Sequence, residues 1–434
     1  MSTTTLHQVG QAPDRVRSRR LSRTVSFAAL AAIFATFMAA SAAPSPLYVV
    51  YQHDWGFSAS VLTVVFAVYV AGMVGSLLVL GALSDHVGRR PVLAAAVALE
   101  VVALVLFLIA GDVTVLLVAR LVQGIATGAA LTTLGAALVD LNPPHAPGRA
   151  GLINGLVPPA GLAVGALGTG ALVQFAPAPT HLVWAVLLLA MALAALVVAV
   201  MPETSARRPG GVKSLVPRLG VPARLRSDML ALVPIIVASW ALGGLYLSLG
   251  PSVAAGVLGL SNHLIGGLVV MALFGPGAVT AFALRNLPTP RTLAIAGVLL
   301  TVGPIVSILG VEISDVPIAL AGTVVSGIGF GAAALAQMAT LARLAAPHER
   351  AELLTVALVI AYVAFSVPAV IAGFASGSAG LHATTLVYAA VVAVLGATAV
   401  VAQRVRAATA EVAPRVPAAT AVVAQKGRAT SSDR

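Results

Sequence analysis

Two ionisable side chains, Glu100 and Arg120, stand well inside long apolar runs of the chain, on neighbouring segments where similar depth is expected. Placing a charge at membrane depth costs about 2.5–3.5 kcal/mol on insertion scales, and such groups usually face a cavity or a partner. Arg120 could hold an anionic group of a solute, or electrostatically eject a proton from a nearby acid. It could also be a structural partner of Glu100 or of backbone carbonyls. Glu100 could carry a proton or play a neutral structural part. With Gln123 they form the more polar portion of a candidate substrate or proton pathway. Its uncharged candidates are Asn154, Trp240, Tyr246, Gln337 and Tyr362. Each either lines the pathway or packs within the protein, and Tyr246, close to the end of its run, could also sit at a membrane interface. Such scarcity of charge favours a weakly polar, lipophilic or neutral solute. Asp140, near the end of the Arg120 run, is expected to be a solvated helix-end group.

Other chemistries are excluded by what is missing. The chain has no cysteine, so disulfides, thiolate metal sites, iron–sulfur clusters and cysteine nucleophiles are ruled out. The histidines, His53 and His86 among them, show no metal-ligand spacing. No nucleotide-binding loop, zinc motif or nucleophile–base arrangement is present, so neither a cofactor nor an enzymatic activity is expected.

A second concentration of polar residues runs from Gly81 to Leu93, as Gly-Ala-Leu-Ser-Asp-His-Val-Gly-Arg-Arg-Pro-Val-Leu. It reads as a tight turn between two apolar runs. Gly88 can take a positive φ, Asp85 can face a helix N-terminus or an arginine, and Arg89 and Arg90 anchor one face of the membrane. An ordinary charged turn that only satisfies topology would look the same.

The elements that must position these residues follow from composition. Hydrophobic residues are 59% of the 434 and charged residues 9%, against about 25% charged in a soluble domain. A hydrocarbon core about 30 Å thick needs about 20 apolar helical residues. Runs of that kind begin near Val25, Ser60, Val92, Val113, Leu152, Leu182, Met229, His263, Thr292, Val316, Leu353 and Ala383. The first has the basic residues Arg15–Arg23 before it and the alanine-rich Ala39–Ala43 near its end, as a signal peptide would. The long polar leader and the eleven further runs favour a first span instead. The fold class expected is therefore all-α integral membrane, with twelve transmembrane helices as two six-helix bundles.

The net charge of +11 is a topology signal and not the mark of a nucleic-acid partner. Every arginine and lysine except Arg120 falls in a tail or in a loop on one side. Asp54, Asp112, Glu312 and Asp315 occupy loops on the other. The positive-inside rule then puts both termini in the cytoplasm of a cell membrane. Arginine-rich, alanine-rich usage with only Lys213 and Lys426 as lysines suggests a high-GC bacterial genome. The expected organisation is a cytoplasmic tail 1–24, a bundle 25–201, a central loop 202–228, a second bundle 229–402 and a disordered tail 403–434. The halves echo each other at an offset of 201: Leu83-Ser84-Asp85 matches Leu284-Arg285-Asn286, and Arg149-Ala150-Gly151-Leu152 matches Arg350-Ala351-Glu352-Leu353. Transporters are commonly built from such repeats, with a solute site near the midplane.

The turn Gly81–Leu93 resembles the loop signature between the second and third helices of the major facilitator superfamily. Arg120-Leu121-Val122-Gln123-Gly124-Ile125-Ala126-Thr127-Gly128 is similar to that family's fourth-helix motif, and Pro202-Glu203-Thr204 after the sixth run agrees with it. The resemblance covers residues 24–402. It implies two bundles rocking about a cavity lined mainly by helices 1, 4, 7 and 10, with the turn latching the outward-facing state. Two departures matter. The second copy of the turn has Asn286 and Thr289 in place of Asp85 and Gly88. The fifth run, Pro158 to Gly170, is glycine-rich like that of the family's antiporters but lacks their glycine–proline pair, and its small residues would equally serve close helix packing. A monomeric carrier working by alternating access is expected, exporting a lipophilic or neutral compound against protons. Proton-coupled uptake of a metabolite, and more remotely a membrane-embedded enzyme or scaffold, are the alternatives.

Overall fold

Side chains start five of the helices. Ser22, Ser58, Asp112, Asn262 and Asp315 each accept a backbone N–H from the first turn that follows them, satisfying donors that a helix leaves free at its start. In the computed structural model the described residues are 21–146, 148–206, 209–211, 215–216, 220–260, 262–346 and 349–412. Residues 1–20 and 413–434 of the expected tails, together with Arg207, Arg208, Lys213 and Arg218, lie outside them.

The first half contains α1 (Arg23–Ala42), α2 (Pro44–Trp55), α3 (Ala59–Leu80), the short α4 (Ser84–Val87), α5 (Arg89–Leu108), α6 (Val113–Asp140), α7 (Arg149–Phe175) and α8 (Pro179–Val200). The second contains α9 (Arg226–Ser248), α10 (Gly250–Gly256), α11 (His263–Ala283), α12 (Thr289–Glu312), α13 (Val316–Leu344), α14 (Arg350–Ala379) and α15 (Leu381–Val412). The described residues form twelve spans long and apolar enough to cross a membrane, α1 and α2 together making the first. No expected start is displaced from its helix by more than one turn. The first span is broken at Ala43–Pro44, and the seventh is followed, after a break at Leu249, by the short α10 that begins Gly250–Pro251.

Large apolar side chains such as Leu189, Leu196, Val164, Ile371, Phe374 and Val394 stay exposed on the outside of the bundles. Lipid is the solvent that makes such a surface stable. Across the two halves, α7 packs against α11 and α3 against α14. Small residues permit the approach: a Cβ on Gly170 would stand 3.2 Å from the Gly267 Cα. Gly161 and Gly165, also on α7, lie against Ala35, Met38 and Ala39 of α1, so the small residues of the fifth span pack against neighbours on two sides.

The end of the molecule carrying the turn at Ser84–Arg90 is called the basic end here, and the opposite one the far end. At the far end the halves are joined by hydrogen bonds from Ser45 Oγ to the Leu247 carbonyl (2.7 Å) and from Ser60 Oγ to the Gly373 carbonyl (3.0 Å). Ser252 Oγ to Gln52 Oε1 (3.2 Å) and the His263 N–H to Gln174 Oε1 (2.9 Å) add two more. Towards the basic end the α3–α14 seam continues with Val74 and Leu77 beside Leu358 and Tyr362.

Candidate functional site

Arg120 is 1% exposed and is held inside the first bundle. Its Nε donates to the Tyr48 hydroxyl at 2.8 Å, and Nη2 donates to the same oxygen. Nη1 donates to the Ser41 carbonyl (3.1 Å) and to Gln123 Oε1 (2.7 Å). The guanidinium also lies 5.4 Å from the Tyr48 ring centre and 4.9 Å from that of Tyr69, where aromatic faces favour a cation. The break in the first span supplies part of this nest. Pro44 has no N–H for the Ala40 carbonyl four residues back, and Gln123 Nε2 donates to that carbonyl at 3.1 Å.

Gln123 is also the link to Glu100. Its Nε2 donates to Glu100 Oε1 at 3.1 Å, so one amide reads a donor-only guanidinium on its oxygen and a carboxyl on its nitrogen. Glu100 is fully buried, and its Oε2 has no hydrogen-bond partner. Arg120 and Glu100 therefore belong to one cluster through an intervening amide and not through an ion pair. The direct pairing weighed from sequence is corrected on this point, because α5 and α6 hold the two side chains apart by the depth of Gln123.

The uncharged candidates separate into distinct places. Trp240 and Tyr362 meet edge to face at 4.9 Å, and Phe365 joins them while packing 5.1 Å from Phe66 across the seam of the halves. Asn154 donates to the Gly135 carbonyl (3.2 Å), and its buried Oδ1 has no partner. Gln337 is buried in α13. Tyr246, two residues from the end of α9, shares a 2.7 Å hydrogen bond with Thr323 inside the second bundle.

At the basic end the turn residues converge. Gly81 closes α3 with its N–H on the Leu77 carbonyl. Arg89, 8% exposed, pairs with Asp85 and with Asp140 (Nε to Oδ2, 3.1 Å) and donates to Ser84 Oγ (2.6 Å). Glu203 lies across the start of α5, accepting the N–H groups of Arg89 (2.8 Å) and Arg90 (3.1 Å). An anion at that point meets both free donors and the positive end of the helix dipole. Gly88 has φ +108°, and a Cβ there would stand 2.7 Å from Glu203 Oε2. The Arg90 guanidinium donates to the Ala199 carbonyl. Asp140 also accepts from Thr204 Oγ1 (3.2 Å), and Arg23 donates to its carbonyl (2.8 Å). Asp140 is thus the hub of an ion-pair cluster. It is the helix-end group expected, with its side chain still 30% exposed, and Arg89 and Thr204 approach it from other elements. In the second copy, Arg285 turns back onto Phe282, ring and carbonyl alike.

Tyr48, Ser41 and Tyr69 around Arg120, and Asp140 and Glu203 around the turn, were not among the expected site residues. Glu203 had a signal in Pro202-Glu203-Thr204. Tyr48 had none beyond its place after Pro44 and Pro46, because its role depends on packing between distant segments.

Comparison with known proteins bears on these features. Residues 25–289 match the family model for the Major Facilitator Superfamily. A stretch of 88 residues is 35% identical to the MFS-type transporter paaT of Penicillium rubens, covering 20% of this chain and 16% of that protein's length. A bacterial homologue of the human lysosomal transporter Spinster, inward-facing and unoccupied, superposes with a TM-score of 0.71 at 14% identity, over 88% of this chain and 97% of that one. The human organic anion transporter MFSD10 (TETRAN) gives 0.62 at 17% identity, over 89% and 100%.

Proposed function

We propose that this chain, which belongs to the Major Facilitator Superfamily, exports a small lipophilic or neutral solute in exchange for protons, as a monomer in a bacterial cell membrane. In this reading the basic end and both termini face the cytoplasm. The observation that carries the coupling is the buried Glu100 carboxyl, with one oxygen on Gln123 and the other unpartnered. A carboxyl so placed has room to bear a proton on its free oxygen. An unpaired buried carboxylate is expensive, so losing that proton calls for a partner. Gln123 stands between it and the Arg120 guanidinium. A rearrangement of the first span that withdrew the amide would let the two charges meet and release the proton. Tyr48, Ser41 and Ala40, all at the Pro44 break, tie that event to the geometry of the first span. Uncharged candidates elsewhere suit a solute that brings no charge of its own.

The test uses the purified chain in vesicles with a panel of neutral lipophilic dyes and an imposed pH gradient. Glu100→Gln should stop gradient-driven movement while leaving dye-for-dye exchange intact. Full gradient-driven movement in that variant would remove Glu100 from the coupling. Accumulation on the basic-end side, in place of extrusion, would establish uptake.

A further inference from the structure

The second bundle contains a cavity of about 240 Å³ lined by residues of the second half alone, away from the Glu100–Arg120 cluster. Its wall is almost wholly apolar. Ala254, Ile308, Leu320 and Thr385 line it, and the hydrogen-bonded hydroxyls of Tyr246 and Thr323 stand at one side. Leu320, 45% exposed, marks its mouth.

Internal symmetry shows what fills the equivalent volume in the first bundle. Asp112 caps α6 and Asp315 caps α13 in the same manner, each carboxylate accepting from the N–H three residues on. Counting from those caps, Thr323 occupies the position of Arg120. Counting from the helix breaks at Ala43 and Leu249, Ala254 occupies that of Tyr48. The offset of 201 between the halves brings Ile308 to Phe107 and Thr385 to Trp184. In the first bundle Phe107 and Trp184 stack at 4.4 Å, Trp184 donates to the Tyr51 hydroxyl, and Phe107, Trp184 and Tyr48 are all buried. At these sequence registers Tyr48, Phe107 and Trp184 of the first half have as counterparts an alanine, an isoleucine and a threonine, and all three line the cavity.

We propose that this cavity is a binding site for a small neutral aromatic molecule carrying one hydroxyl-type group. The ring would stand in the volume that the first half fills with its own rings, and the hydroxyl would reach Tyr246 and Thr323. Apolar cavities of about 150 Å³ already take up benzene, so the size suffices for one substituted ring. The site is separate from the proton-coupling residues, and its occupation is independent of whether Glu100 carries a proton.

The probe is 4-bromophenol. Crystals of the purified protein soaked with it should show the bromine by anomalous scattering between Ile308, Leu320 and Thr385. Calorimetric titration should give binding that Ile308→Phe weakens by about tenfold or more, through filling the space. Tyr246→Phe should reduce the preference for 4-bromophenol over bromobenzene. If Ile308→Phe does not give a monodisperse protein, Leu320→Trp fills the mouth from its exposed side and serves the same purpose. Repeating the titration in nanodiscs of phosphatidylethanolamine and phosphatidylglycerol identifies the natural source. Unchanged affinity there points to a free aromatic compound. Bromine at another location, or affinity untouched by a filling variant that folds, overturns the proposal, as does competition by an acyl chain that leaves no binding in nanodiscs.

Discussion

The donors of Arg120 are satisfied by the Tyr48 hydroxyl, the Ser41 carbonyl and Gln123 Oε1, so the guanidinium is a structural centre of the first bundle whatever else it does. Removing a charged partner from such a buried set costs about 3–5 kcal/mol when another charge is stranded. Here Gln123 and Tyr48 are neutral, so a smaller loss is expected, about 1–3 kcal/mol for polar atoms left unsatisfied. Arg120→Ala should therefore lower the melting temperature of the purified protein and abolish gradient-driven transport. Arg120→Lys should restore folding but only part of the transport, since lysine lacks the planar fork that reaches three acceptors. Gln123→Leu leaves Arg120 on Tyr48 and Ser41 but removes the amide that stands between it and Glu100. Glu100 Oε1 and the Ala40 carbonyl lose their donor, so melting should fall about as far as in Arg120→Ala. Transport no longer driven by a pH gradient is the expected result, and normal coupling would show that the amide is only packing. That Arg120 and Glu100 lie near one another was legible in the sequence, because charges inside apolar runs need partners; that Gln123 stands between them was not. That Tyr48 is one of those partners was not, since a tyrosine just beyond a proline break reads equally well as a packing or an interfacial residue.

Among the elements, the start of α5 is the most constrained. Glu203, arriving after α8, accepts the Arg89 and Arg90 N–H groups, and Gly88 turns at φ +108° beneath it. A leucine at 88 would be strained by about 1–3 kcal/mol in its backbone, and its Cβ would displace the Glu203 carboxylate. Gly88→Leu and Glu203→Gln should both reduce transport, with the glutamine variant milder because it keeps the shape and loses only the charge assistance. Transport assays normalised to the amount of protein in the membrane would check this, and wild-type rates in both would reduce the turn to a topological loop. The turn itself stood out in the sequence through its glycines and paired arginines. Asp140 did not, because a carboxylate at the end of a 28-residue helix looks solvated until the chain that packs over it is known. The long spans were legible, since apolar length is a stronger signal than any side-chain pairing, whereas α2, α4 and α10, which follow breaks or turns, were not.

At the scale of the whole molecule, the halves meet at the far end through hydrogen bonds that include Ser252 to Gln52. On a chain with no natural cysteine, Gln52→Cys with Ser252→Cys can be bridged by a short bis-methanethiosulfonate, which joins each thiol through a disulfide and releases sulfinate. Transport should stop on bridging and return on reduction, and transport that continues would mean the far end need not open. The basic end carries a different lesson. The cluster around Arg89 draws the partners described for it from residues up to Thr204. On the other side of the central segment, Arg224 pairs with Glu349 and Arg406 with Asp228. Each bundle is thus fastened by its own chain, on its own side of the stretch between Gly211 and Gly220. During synthesis the cluster around Arg89 and Asp140 can form as soon as Thr204 leaves the ribosome, before the seventh span exists. Two separate polypeptides divided in that stretch would then be expected to find each other in the bilayer through the small-residue surfaces of α7 and α11 and to move solute together, as two gears cut from one blank still mesh.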